Sequence, residues 1–441
     1  MTRLVPLHGI GTRHDLPLPF SYVLVGAALA LVVSFLVLRY AWRRPRFREP
    51  GGLALPRLTR VVDAPGVRRL AALAVLAVYA WAALALVAGK DLLTNPVFGF
   101  VFVWMWVGLV PLSLLLGPFW RVTNPLRTLH RGLCALARTD PSTGLANLPP
   151  RVGRWPAALT LLAFGWLELV QPDRATLPVL RLWAVAWLIV MVLGAVVFGA
   201  AWIGAADPFE AYAVTVAQLS PLRRVDGVLR LVNPLAGLAA WDPPPGAVAV
   251  VSVLLGTTAY DGFANTTWWI QTVQSSSASP RLWETGGLLA MTLLVLATYS
   301  VAAAAMSRHA RDASLPARDY PRLTAGSLVP IVIGYAVAHY ATLLVVEGQR
   351  TAINMSDPLG RGWNVFGSAE MGVNTAIYGH ATGVALLQLG AIVGGHVLGI
   401  VSAHERSLTL LREDSVLAGQ WPMVLVMVGY TCAGLLLLFS P

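Results

Sequence analysis

Ten apolar runs, each about as long as a helix that crosses a bilayer, decide what this chain can be. A helix rising about 1.5 Å per residue needs about 20 apolar residues to cross a hydrocarbon core of roughly 30 Å. Such runs lie near 20–39, 69–89, 97–118, 155–171, 181–204, 247–267, 284–306, 324–346, 375–402 and 420–440. The run 155–171 is short and contains Glu168; the longest, 375–402, is expected to tilt or to extend past the inner surface. Only 12% of the residues are charged and 56% are hydrophobic, whereas soluble domains carry about 25% charged residues. Disordered chains, nucleic-acid-binding domains and ordinary cytosolic enzymes are excluded together. The expected fold class is all-α: a polytopic integral membrane protein of about ten transmembrane helices, with the lipid bilayer as its solvent.

The basic residues set the expected orientation. With the N-terminus outside, the inner segments hold 24 of the 32 basic residues and the outer ones eight. This bias predicts an N-out/C-out topology in a bacterial plasma membrane, with the net charge of +11 directed at anionic inner-leaflet lipid. All the basic residues but Lys90 are arginine, the mark of a GC-rich genome. Residues 1–19 lack an apolar core, so no signal peptide is expected, and 20–39 is long enough to remain as an anchor. Cys134 and Cys432 fall in different environments and predict no disulfide.

The chain is read as one membrane domain, with spans 1–5 in 20–246 and spans 6–10 in 247–441. The first part carries a parallel repeat, 67–126 against 152–209. Val67-Arg68-Arg69 with Trp81 matches Val152-Gly153-Arg154 with Trp166, and Trp120 through Asn124-Pro125-Leu126 matches Trp202 through Asp207-Pro208-Phe209. A proline directly after Asn or Asp fits a helix cap followed by the first helical residue. Residues 208–232 are expected to continue as an interfacial helix.

Ionisable groups inside spans are costly and therefore mark candidate sites. Glu168, Tyr260-Asp261, His339-Tyr340, Glu347, and Tyr378 with His380 all fall near the outer ends of spans 4, 6, 8 and 9. His339 lies roughly 10 Å below the outer surface, and Asp261 and His380 roughly 7–8 Å. Two histidines and nearby carboxylates at one depth suit a divalent metal such as Zn, Mn, Cu or Fe; the alternative is that Glu168 and Asp261 snorkel and the histidines have local partners. His396, in Gly394-Gly395-His396-Val397-Leu398-Gly399, is expected to form an interhelical hydrogen bond, and His404 to be solvated at the inner surface. Residues 348–374 are expected to form an ordered outer loop. In it Arg350 and Arg361 either bind an anionic substrate group or pair with Asp357 and Glu370; pairing is the favoured use. Walker A, GxGxxG, HExxH, CxxC and CxxCH motifs are all missing from the sequence.

Several stretches resemble one membrane family: His8-Gly9 with Asp15-Leu16-Pro17-Leu18-Pro19, Thr258-Ala259-Tyr260-Asp261-Gly262-Phe263, and His339-Tyr340 through Glu347-Gly348-Gln349 to Ser356-Asp357-Pro358-Leu359-Gly360-Arg361-Gly362-Trp363-Asn364. The chain is similar over nearly its whole length to an actinobacterial and archaeal family often labelled fenitrothion hydrolase. The resemblance implies cleavage of an apolar, organophosphorus-like ester arriving through lipid. Such chemistry needs an activated water and stabilisation of charge on the phosphoryl oxygen. A metal held by His339, His380 and Asp261 would supply both, with Glu347 or Glu168 as base and Tyr260, Tyr340, Tyr378 and Arg361 lining the substrate pocket. Two other functions fit the same residues. One is a transporter or channel for a small solute, with the groups as a proton or gating relay. The other is a b-type haem or copper electron-transfer protein, with His339 and His380 on consecutive spans. A subunit of a larger membrane complex is the remaining alternative.

Overall fold

A computed structural model describes residues 15–47 and 51–439, so the His8-Gly9 pair lies outside the described residues. The longer helices are α1 (Phe20–Ala41), α2 (Pro65–Ala88), α3 (Pro125–Ala137), α4 (Trp155–Leu169), α5 (Leu177–Phe198), α6 (Pro208–Val216), α7 (Ala247–Ala264), α8 (Pro280–Ala305), α9 (Val329–Asn354), α10 (Ala381–Leu410) and α11 (Val416–Leu438). Among the described residues eight helical stretches are long and apolar enough to cross a membrane. A ninth is added if Pro96–Met105 and Leu109–Leu116, bent by 45° where they meet, count as one span. The expected span at 155–171 is the 15-residue α4, about 22 Å long and shorter than a hydrocarbon core. Pro156 stands in its first turn, and Gln171-Pro172 follows its end. The expected span 181–204 stops at Gly199, whose φ of 63° ends α5.

The chain divides into two compact units. Among the described residues the first comprises 15–47, 233–343 and 375–439, and the second 51–232 and 344–374. In the first unit Val23 and Ala27 of α1 share a core with Tyr335 and Ala338 of α9, Ala385 and Ile392 of α10, and Leu435 and Leu438 of α11. Small residues let these helices approach closely. A side chain on Gly395 would meet the Pro330 carbonyl at 2.6 Å, and one on Gly399 the Ser327 carbonyl at 2.7 Å. Beyond α1, Glu405 accepts hydrogen bonds from Trp42 Nε1 at 2.9 Å and Phe47 N at 2.7 Å. His404 bonds to the Trp42 carbonyl at 2.8 Å and Gln420 Oε1 at 3.1 Å. It is buried, not solvated as expected, because the chain after α1 folds over it.

The core of the second unit is aromatic. Phe164 of α4 packs against Trp106 at 5.1 Å, Trp183 at 5.4 Å and Phe209 at 5.3 Å between ring centroids. This unit also corrects the expected interfacial helix 208–232. Helix ends after residue 219, and β2 (Leu222–Val225) and β3 (Val228–Leu231) form a hairpin, with β1 (Leu53–Ala54) on the other edge of β3. The turn is Asp226-Gly227, both at positive φ (49° and 79°), and an Asp-Gly pair favours this tight two-residue connection. Arg224 hydrogen-bonds both carboxylate oxygens of Asp63 at 2.8 Å, which holds Asp63 below the ordinary carboxylate range.

Candidate functional site

In the first unit the structure joins two of the expected residues. Asp261, near the end of α7, and His339, in the middle of α9, meet at 2.9 Å between Oδ2 and Nε2. Tyr340 donates a longer hydrogen bond, 3.4 Å, to the same oxygen. All three are buried, with 6% or less of each residue exposed. Glycines on α7 set its close packing against the neighbouring helices. On α7, a Cβ on Gly256 would lie 2.6 Å from Thr292 Cα of α8, and one on Gly262 would lie 3.2 Å from Leu437 of α11. The Tyr335 ring lies parallel to His339, at 6.2 Å and 8°, and Tyr340 meets it edge-on at 4.7 Å and 86°. Tyr260, fully buried, turns instead to Trp269. A histidine and a carboxylate in this contact inside an apolar bundle are costly to bury and mark a candidate functional site.

The remaining expected residues lie elsewhere. His380 ends a short 3₁₀ turn, Ala376–His380, and is exposed, while Tyr378 in that turn is half-buried. Among the described residues no three His, Cys, Asp or Glu side chains gather in a group able to hold a metal. The expected ligand set His339, His380 and Asp261 is therefore not assembled. The reason is local: 376–380 precedes α10 instead of forming its first turns. Glu168 is buried on α4 in the second unit. Glu347 also belongs to that unit and pairs with Arg350 at 2.9 Å. Arg350 was expected to pair with Asp357 or Glu370, but an i to i+3 spacing on α9 brings it to Glu347 first. Arg361 contributes its backbone N–H to Asp357 at 2.9 Å, and the Gly362 N–H joins it at 2.7 Å. That loop walls a cavity of about 230 Å³, lined by Lys90, Asn95, Asn354, Asp357, Gly360 and Trp363 among others. His396 departs from expectation as well: its Nδ1 donates to the Ile392 carbonyl of its own helix at 2.8 Å, and its buried Nε2 has no partner.

A second polar cluster, in the second unit, was not anticipated as a cluster. Asn124 caps α3 by accepting from Leu126 N, and Asp207 caps α6 by accepting from Phe209 N. The amide of Asn124 then bridges Asp207 Oδ2 at 2.7 Å and Glu210 Oε2 at 3.0 Å. Arg127 binds Glu210 through two nitrogens at 2.7 and 2.8 Å. Asn124, Asp207 and Glu210 are at most 1% exposed. Burial, then the charge of Glu210, pushes the Asp207 carboxyl up to about 7. Glu210 itself feels the same burial, but Arg127 holds it below its ordinary value. The Asn-Pro and Asp-Pro pairs signalled the caps; nothing in the sequence signalled that they meet.

No family model, curated protein or solved structure matches the chain.

Proposed function

We propose that this chain is a transporter or channel of the bacterial plasma membrane in which protons move through the His339–Asp261 pair. The topology that goes with this reading is N-out/C-out with ten crossings, α4 being the short one. The excess of arginine in the segments this topology puts inside supports it. The observation that carries the reading is the 2.9 Å contact between two buried ionisable groups on membrane-spanning helices. Such a pair is expensive in lipid, and a proton pathway is a common use for one. Metal-assisted hydrolysis, the first expectation from the sequence, needs a third ligand beside this pair, and the described residues bring none.

The test is proton influx into liposomes of phosphatidylethanolamine and phosphatidylglycerol that enclose a pH-sensitive dye. The outside is acidified with valinomycin and potassium present to cancel the membrane potential. Wild-type protein is expected to acidify the lumen at least about tenfold faster than Asp261→Asn or His339→Gln, the effect expected on removing an essential proton carrier. Equal rates in wild type and Asp261→Asn would remove the reading.

A further inference from the structure

A proton held by the outer pair needs an onward path, and the first unit contains buried polar atoms that the pair does not use. The Tyr335 hydroxyl and His396 Nε2 are both buried without a partner, on helices nearly closed to solvent at these positions (5% and 1% exposed). Buried polar groups are normally satisfied, so two orphans within one helical unit call for a physical reason.

The helix register puts the two at neighbouring levels of the unit. Gly334 abuts Ala391, Gly395 abuts Pro330 and Gly399 abuts Ser327, so α9 and α10 run antiparallel in close contact. On this register His396 and Tyr335 differ by no more than about 9 Å along the axes. Side chains on a helix lean toward its N-terminus. Tyr335 therefore leans away from the outer end of α9, and His396 leans back toward the level of Tyr335. Ile392, one turn before His396, shares a core cluster with Tyr335. The chemistry also fits. A carbonyl only accepts, so the hydrogen bond to Ile392 fixes the proton of His396 on Nδ1 and leaves a lone pair on Nε2. Below this level a set of hydroxyls continues: Tyr299 Oη lies 2.9 Å from Thr324 Oγ1 and 3.5 Å from Ser327 Oγ. Ser327 is the residue whose carbonyl faces Gly399, one turn beyond His396.

We infer that His396 is the second proton carrier of this protein, loaded from the His339–Asp261 pair through the Tyr335 hydroxyl; this rests on the proton-pathway reading above. In each cycle Tyr335 passes its hydroxyl proton to His396 Nε2 and takes one from His339. The imidazolium so formed returns to neutral by releasing one proton inward. One proton enters as one leaves, and no other reactant is needed.

The test uses full-length protein in the same dye-loaded liposomes, with two readouts. One is the stoichiometric proton uptake that follows an acid jump, and the other is the sustained influx. Asp261→Asn is expected to lose both. His396→Gln is expected to keep the first uptake, about one proton per protein, and to lose sustained influx by more than about tenfold. A purely structural role for His396 would not separate the two. Tyr335→Phe removes only the unpartnered hydroxyl, so it is expected to melt no lower than wild type while sharing the loss of influx. If both variants conduct like wild type while Asp261→Asn does not, His396 is not the carrier and the outer pair stands. If wild type conducts no faster than Asp261→Asn, the pathway fails and this inference fails with it.

Discussion

Asn124 donates a 2.7 Å hydrogen bond to Asp207, a residue 83 positions further on that does the same work in its own stretch of chain. Each caps a helix whose first residue is proline, and each lies a few residues beyond a glycine at positive φ, Gly117 at 70° and Gly199 at 63°. Three residues past the caps, Arg127 and Glu210 are again 83 apart and form an ion pair. Two like helix starts thus meet through complementary groups, an amide and a guanidinium facing two carboxylates.

Breaking that pair is expected to be costly. Arg127→Ala would leave Glu210 buried beside Asp207 with its strongest partner gone, a loss of about 3 kcal/mol. The double variant Arg127→Met with Glu210→Leu should be more stable than Arg127→Ala alone, because it removes both charges. Gly204→Val should act like the single variant, since a Cβ there would lie 2.9 Å from Arg127 Nη2. Melting temperatures in detergent check all three.

Asp207 makes a distinct prediction about pH. Its carboxyl is raised from 3.8 to about 7 in the folded protein, so the folded state binds the proton more tightly than the unfolded one. The stability that this proton contributes is complete below the unfolded value and is lost as pH rises through about 7. Relative to Asp207→Asn, the wild-type melting temperature should fall steadily between pH 4 and pH 7 (approximate bounds of the linkage window). A constant difference between the two proteins would contradict the burial argument.

His380 lies outside the pair at the site, and its removal should show this. His380→Ala is expected to leave proton influx within about twofold of wild type, as for other exposed substitutions away from a site. A loss as large as that of His339→Gln would return His380 to the site.

Asp357 holds the outer loop. Burial raises its carboxyl, but the N–H groups of Arg361, Gly362 and their neighbours outweigh this and keep it charged, below the ordinary value. Replacing it by Ala should free the turn that contains Gly360 and Gly362, both at positive φ. Trypsin is then expected to cut after Arg361 roughly tenfold faster, since cleavage follows local opening.

How much of this was legible in the sequence depends on the kind of information each feature needs. The apolar runs and the two Asn/Asp-Pro caps could be read directly, because both are properties of neighbouring residues. The hairpin at 222–231 could have been read as well: Asp226-Gly227 between two aliphatic stretches is its signal, and the helical reading of 208–232 passed over it. His404 and Glu405 could not. Their burial depends on Trp42 and Phe47, more than 350 residues away in sequence.

Residue order alone says that the chain is all-α with several apolar helices of membrane length, because length and hydropathy are properties of neighbouring residues. It could not determine which polar residues meet, because that depends on the rotation of each helix about its axis and on its neighbours. Asp261, His339 and His380 shared a depth on paper. The tertiary structure joined the first two, on α7 and α9, and left His380 in a turn outside its helix. Contact requires a shared face as well as a shared level, and the face is set by packing.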